Sequence, residues 1–253
     1  LHKSEIEKQK MEEQLEIARN IQQSLLPKAS PTFERLDIAG ISIPALTVGG
    51  DYFDYIRLGE KKLLVVVADV SGKGMSAALY MSKIQGMIQL ASHMYQTPRE
   101  MLIHVNRRLY DGIERKSFIT MVLALFDLEN NTVQICRAGH NKAIISNNNH
   151  LEHLNSRGIG LGLERGPIFE ENLEEVQRKL SPDSIFFFYS DGLSEAMNEQ
   201  QEQFGEDTIC NLIKANKKLT AEELQHSLIH SAQQFQGSAD QHDDITFVVV
   251  KYN

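Results

Sequence analysis

The chain has 253 residues, a formal net charge of -8 and 42% hydrophobic residues. That is enough to bury a full core, with room for about one and a half average domains. An acidic balance without a Lys/Arg cluster argues against a nucleic-acid or anionic-membrane partner, and apolar runs such as Leu63 to Ala68 fall far short of the roughly 20 residues that span a bilayer.

Residues 1 to 26 read as a charged helix stopped at Pro27, because the residue before a proline is driven out of the α region. Met11, Leu15, Ala18 and Leu25 fall on one stripe with Gln22 at the gap. That stripe suits either a short coiled coil with a second copy or packing on the domain that follows, over residues 29 to 253. Strand candidates are Leu36 to Ile43, Tyr52 to Leu58, Leu63 to Val70, Phe118 to Leu128, Thr132 to Ala138, Lys142 to Ser146, Ile185 to Tyr189 and Ile245 to Lys251, all rich in β-branched and aromatic residues. Leu63 to Ala68 is apolar at every position, which predicts a central strand covered on both faces.

Helices interrupt these strands. Met75 to Met94 carries Met75, Ala78, Leu79, Met87, Ile88, Ala91 and Met94 at spacings that predict a face packed on a sheet. A second helix opens at Thr97, with Pro98 at its first position and Glu100 completing a capping box; Met101, Val105 and Leu109 form its stripe. Thr220 and Glu223 open a third before Leu224, Leu228, Ala232 and Phe235, and a shorter one covers Glu206 to Ala215. Asn147 to Asn149 reads as a turn. Blocks of strands separated by paired helices predict an α+β fold of mainly antiparallel sheet behind an N-terminal helical linker.

Four aspartates sit at the edges of short apolar strands: Asp51 in GGDYFDY, Asp69 in LLVVVADVSGKG, Asp191 in IFFFYSDGLSEA and Asp243 in HDDITFVVV. A carboxylate beside so much apolar surface carries an expensive charge, and a cation is the simplest way to hold several together. Oxygen ligands without a His/Cys cluster favour Mg²⁺ or Mn²⁺ over zinc. Two of these strands end at their aspartate and two begin just after theirs, so antiparallel neighbours bring them to one rim. Asp69 is the expected bridge between two ions. Asp54, an odd number of residues beyond Asp51, is expected to be structural, and Asp244 to support Asp243.

Other motifs have plainer readings. GKGMS lacks the first glycine of a phosphate-binding P-loop, so Lys73 is expected to be solvated, with contact to a substrate phosphate as the alternative. CRAGHNK fails as a thiol phosphatase loop because position 142 is Lys; Cys136 is then a small hydrophobe in a strand and AGHN a turn. His242 is expected to be an exposed loop histidine. Gly158 to Gly166 reads as an ordinary loop, with a mobile flap as the alternative. Ser194 and Glu195 are expected to begin a helical turn after Asp191. Cys136 and Cys210 form no disulfide framework, which fits a reducing cytoplasm, and an opening Leu1 without Met suggests a piece of a longer chain.

Taken in order, IARNIQQSLLP, GGDYFD, ADVSGKG followed by AAL, FIT, AGHN, YSDGLSEA and DDIT resemble the SpoIIE-type bacterial serine/threonine phosphatases of the PPM class, over nearly everything from Ile17 onward. Lys142 departs from the proline that relatives often carry after AGHN. The resemblance implies a four-layer αββα sandwich with two Mn²⁺ or Mg²⁺ ions. Asp69 would bridge both, the Val70 carbonyl and Asp51 would help hold one, and Asp191 and Asp243 the other. Two such ions activate a shared water for in-line attack on a phosphoester without a phosphoenzyme.

The resemblance further implies a substrate of the phosphorylated anti-sigma factor antagonist type, an upstream sensor in the same chain, and control through packing or dimerisation of the N-terminal helix. Two other readings stay open: a catalytically silent binding module on the same fold, and a diguanylate cyclase suggested by the GGD string.

Overall fold

The structure, a computed structural model, describes residues 2–147 and 150–253. Two five-stranded antiparallel sheets lie face to face between helices, the αββα sandwich that the resemblance implied. The strands are β1 (Leu36–Ile43), β2 (Tyr52–Arg57), β3 (Lys62–Val70), β4 (Ile119–Asp127), β5 (Thr132–Ala138), β6 (Ile144–Asn147), β7 (His150–His153), β8 (Glu175–Lys179), β9 (Ser184–Tyr189) and β10 (Ile245–Tyr252). The helices are α1 (His2–Leu25), α2 (Met75–Met94), α3 (Pro98–Tyr110), α4 (Pro167–Glu171), α5 (Asp191–Ser194), α6 (Glu206–Ala215) and α7 (Ala221–Gln236). One sheet runs β1-β10-β9-β6-β7 and the other β2-β3-β4-β5-β8.

Strand alternation builds the layers. In β3, Leu63, Val65 and Val67 face the opposite sheet, where they meet Phe186, Phe188 and Val248, while Leu64, Val66 and Ala68 face α2 and α3. Each fully buried side chain of this kind contributes roughly 1.5–3 kcal/mol of transfer free energy, so β3 anchors two layers at once. On the far side, Phe187, Tyr189, Phe247 and Val249 pack against α6 and α7. Both capping boxes form: Thr97 Oγ1 accepts from the Glu100 amide and Thr220 Oγ1 from the Glu223 amide, each at 3.2 Å.

Several expectations need correction. Of the expected α2 stripe, Ala78, Ile88 and Ala91 are buried and Met87 packs against the core, whereas Met75, Leu79 and Met94 are exposed and Ala77, Met81 and Ile84 complete the buried face. A helix apolar on most sides leaves its buried stripe ambiguous from spacing alone. β7 (HLEH) and β8 (EVQRK) are polar edge strands without alternation, and neither was expected. α5 begins at Asp191 itself, three residues earlier than the expected helical turn. Asn148 and Asn149, part of the expected turn, lie outside the described residues.

The stretch Gly158 to Gly166 is pinned as an ordinary loop. Leu161 exchanges both backbone hydrogen bonds with Ile119, the Gly162 amide donates to Asn106 Oδ1 at 2.8 Å, and Asn106 Nδ2 donates to the Glu164 carbonyl. Along α1, Leu15, Ala18 and Leu25 are half-buried, whereas Met11, the remaining member of the expected stripe, is exposed. Among the described residues no helix is long and apolar enough to cross a membrane.

Candidate metal centre at the rim of the sandwich

Period-two alternation delivers the polar residues to the crevice between the sheets. Asp69 continues the inward series Leu63, Val65, Val67, and Asp51 precedes inward Phe53; on the other sheet, Ser190 follows Phe188 and Asp244 precedes Thr246 and Val248. Asp51 is buried, and its Oδ2 accepts a 2.7 Å bond from the Ser190 hydroxyl. Asp244 is buried as well. Its carboxylate ties the loop before β2 in place, accepting from the amides of Ala45 (2.8 Å) and Gly50 (2.7 Å). Asp191 follows β9 at the start of α5, and Asp243 lies on the open side, where Oδ2 stands 3.2 Å from Lys73 Nζ.

Electrostatics show how closely these groups gather. Burial, then the charges of Asp69 and Asp244, hold the Asp51 carboxyl well above the usual carboxylate range. Burial followed by Asp191, Asp243 and Asp244 pushes Asp69 up to about 7. Asp191 is raised by burial and then by Asp243. Carboxylates that raise one another in this way share one low-dielectric pocket without enough positive charge to balance it. The structure thus gathers Asp51, Asp69, Asp191 and Asp243 at one end of the sandwich, drawing an antiparallel pair of strands from each sheet rather than one rim of a single sheet.

As oriented here they do not form a closed cage: among the described residues, no three Asp, Glu, His or Cys side chains stand as a ready-made metal cluster. Ser190 holds Asp51, and Lys73, expected to be solvated, leans on Asp243 and donates to the His242 carbonyl. The donor set nevertheless fits a hard divalent cation. It is all oxygen, it is electrostatically under-compensated, and it sits beside the Val70 carbonyl, which Gly50 approaches so closely that an added Cβ would lie 2.8 Å from the carbonyl oxygen. Gly192 serves a similar purpose, since a Cβ there would collide with the Asp244 carbonyl.

Asp54 takes no part. It accepts from Tyr52 Oη and Gln89 Nε2, both at 2.7 Å, on the helix side of β2, as its odd spacing predicted. His242 is exposed, and Cys136 is buried with its thiol pushed up by desolvation. Beside Asp243 a cavity of about 200 Å³ is lined by Lys73, Gly192, Glu195, Met197, Gln241 and His242, among others. Sequence reasoning did not single out Ser190, nor did it read Gln22 as more than a gap in a stripe. Gln22 is buried and exchanges two bonds with Gly49, donating to its carbonyl at 2.7 Å and accepting from its amide at 3.0 Å. Counting inward positions past the end of β9 points to Ser190; nothing local points to the role of Gln22.

Residues 59–253 match the family model of stage II sporulation protein E (SpoIIE). The chain belongs to the SpoIIE family. It is 28% identical to the phosphoserine phosphatase RsbU of Bacillus subtilis, over 96% of this chain and 71% of RsbU. It is 26% identical to protein IcfG of Synechocystis (95% of this chain, 42% of IcfG) and 23% identical to the phosphoserine phosphatase RsbP of B. subtilis (94% and 57%). The chain thus spans less than two thirds of IcfG and of RsbP.

The SiaA-PP2C domain of Pseudomonas aeruginosa superposes with a TM-score of 0.86 at 20% identity, covering 97% of this chain and 98% of that one. The PP2C domain of B. subtilis SpoIIE, solved with a fragment of its regulatory domain, gives 0.75 at 18% identity (87% and 62%). RsbX, solved in complex with magnesium, gives 0.66 at 15% identity (88% and 98%). The fold is therefore that of PP2C domains, and the SpoIIE-type phosphatases to which the chain belongs are PPM-class, metal-dependent serine/threonine phosphatases. This family membership displaces the cyclase reading.

Proposed function

We propose that this SpoIIE-family chain hydrolyses phosphoserine or phosphothreonine on a bacterial regulatory protein of the anti-sigma factor antagonist type, using two Mn²⁺ or Mg²⁺ ions. The observation that carries the proposal is the gathering of Asp51, Asp69, Asp191 and Asp243 from two sheets into a pocket where burial and mutual repulsion raise Asp51, Asp69 and Asp191. In this reading Asp69 would be shared by both ions, Asp51 and the Val70 carbonyl would help to hold one, and Asp191 and Asp243 would hold the other. When bound, such ions lower the pKa of a water and neutralise phosphoryl oxygens, so that an acidic protein accepts a phosphoester.

The chain supplies the rest. Ser190 orients Asp51 by its 2.7 Å bond, and Asp244 fixes the Gly50 amide and with it the loop that presents Asp51. Lys73, half-exposed beside Asp243, provides a positive charge at the mouth of the site for an incoming phosphate. The buried Gln22 pair ties α1 to Gly49, two residues before Asp51, which supports α1 as a regulatory linker over residues 1 to 28 and a sensor upstream of it. The relatives RsbU and RsbP are phosphoserine phosphatases, which supports the substrate class. The test is Mn²⁺-dependent release of phosphate from a phosphoserine peptide. Turnover is expected to require the metal and to collapse in Asp69→Asn by about a thousandfold, the rate equivalent of several kcal/mol. Unchanged turnover in that variant rejects the mechanism.

A further inference from the structure

His140, in the turn after β5, is buried and plays no part in the chemistry described so far. It sits where the two sheets come together beneath the carboxylates. Its Nδ1 lies 2.8 Å from Thr120 Oγ1, and Thr120 is the β4 residue paired in register with Asp69. The Thr120 hydroxyl also lies 3.4 Å from the Asp69 carbonyl oxygen. On the other side, the ring faces the backbone of Tyr189, the residue before Ser190 and Asp191. Nε2 itself makes no closed hydrogen bond, so a buried polar nitrogen is left over.

The bridge needs the single hydrogen of the Thr120 hydroxyl on Nδ1, its closer contact at 2.8 Å, with the Asp69 carbonyl at 3.4 Å as the competing acceptor. In that tautomer Nε2 carries the ring proton on the side of the Tyr189 backbone, without a closed hydrogen bond. Burial keeps the ring neutral by pushing its pKa down to about 3, aided by the charge of Arg137. Arg137 also anchors the turn by donating to the His140 carbonyl at 2.5 Å and to the Ser156 carbonyl. A neutral imidazole in contact with a strand of one sheet thus faces the end of a strand of the other.

We propose that His140 is a positioning residue, bridging Thr120 beside Asp69 to the Tyr189 backbone beside Ser190 and Asp191, and so setting the spacing between the two halves of the metal site. The inference rests on the metal-site reading above. Groups that orient metal ligands without touching the ion typically change metal affinity or activity by 10–100-fold when removed.

The test measures Mn²⁺ binding by the electron paramagnetic resonance of free Mn²⁺, alongside turnover, in Thr120→Val, Thr120→Ser and His140→Ala. Val keeps the β-branched shape of Thr and removes the hydroxyl; Ser keeps the hydroxyl and loses the branch. Thr120→Val is expected to weaken Mn²⁺ binding about tenfold or more, and Thr120→Ser to stay near wild type. A purely packing role reverses that order, with Val tolerated and Ser weakened, and would overturn the proposal. His140→Ala is expected to weaken binding at least as much as Thr120→Val; if it does not fold, the Thr120 pair decides.

Nitrogen-15 spectra of the imidazole in the metal-free protein give an independent reading, expected to show the Nε2-protonated tautomer at neutral pH. An Nδ1-protonated ring or an imidazolium contradicts the bridge. Wild-type protein that binds no Mn²⁺ would instead remove the metal reading itself and this inference with it, whereas wild-type binding with an unaffected Thr120→Val removes this inference alone.

Discussion

The two halves of the carboxylate site differ in how they are held. Asp51 is buried between the sheets and Asp69 half-buried beside it, with Ser190 and the Gly50 loop fixing the inner one. Asp191 and Asp243 stand past the ends of β9 and β10, and Asp243 keeps 47% of its side chain exposed against Lys73. Burial therefore makes the inner pair, and Asp191 with it, costly to charge, while Asp243 is screened by water and by one ammonium group. The difference teaches that one side of the site is built before any ligand arrives and the other is completed by what binds there.

Breaking the inner half should have the larger effect. Asp51→Asn is expected to lower turnover by about a thousandfold while raising the melting temperature of the metal-free protein, because the amide keeps an oxygen for Ser190 and removes a repelling charge. Thermal melting without metal and phosphate release with Mn²⁺ check the two parts; a fall in both contradicts the view of a strained inner pair. Asp243→Asn is expected to cost less, about a hundredfold in rate, with metal-free stability nearly unchanged, since an exposed ion pair contributes about 0–1 kcal/mol. Equal losses in the two variants would erase the asymmetry.

pH sharpens the same contrast. Asp69 is held up at about 7 in the folded chain against an ordinary 3.8, so between those values the folded state binds more protons than the unfolded one. Stability of the metal-free protein should consequently fall as pH rises through that window, and the stabilisation by Mn²⁺ should grow with it. Melting curves at pH 5 and pH 7.5, with and without Mn²⁺, read this directly; a pH-independent metal effect counts against it. The smallest effect is expected from Gln22→Leu, which removes two hydrogen bonds to Gly49, each contributing about 1 kcal/mol. Turnover should change severalfold at saturating Mn²⁺ with the fold intact, and an unaltered rate would detach α1 from the Asp51 loop.

How much of this was legible in the sequence depended on whether a residue's neighbours along the chain were also its neighbours in space. β3 and the helix starts at Thr97 and Thr220 stood out because alternation and capping are local. β7 and β8 did not, since edge strands half in water need no apolar pattern. α2 was placed correctly but its face only partly: Ala78, Ile88 and Ala91 are buried as expected, while Met81 and Ile84, not Met75 and Leu79, complete the face. In the site, the carboxylates were visible because charge beside apolar strands is conspicuous. Ser190, His140 and Gln22 were not, because each gains its role from a partner at least 20 residues distant in sequence: Asp51, Thr120 and Gly49.

The position of β10 carries a consequence for how the protein is made. The last strand in chain order lies between β1, the first, and β9, and the residues just ahead of it include Asp243 and Asp244. On the ribosome, the first sheet therefore waits with an open slot until Ile245–Tyr252 has emerged. A product truncated before Ile245 has neither the strand that joins β1 to β9 nor the pairing that seats Asp244 under the Gly50 loop.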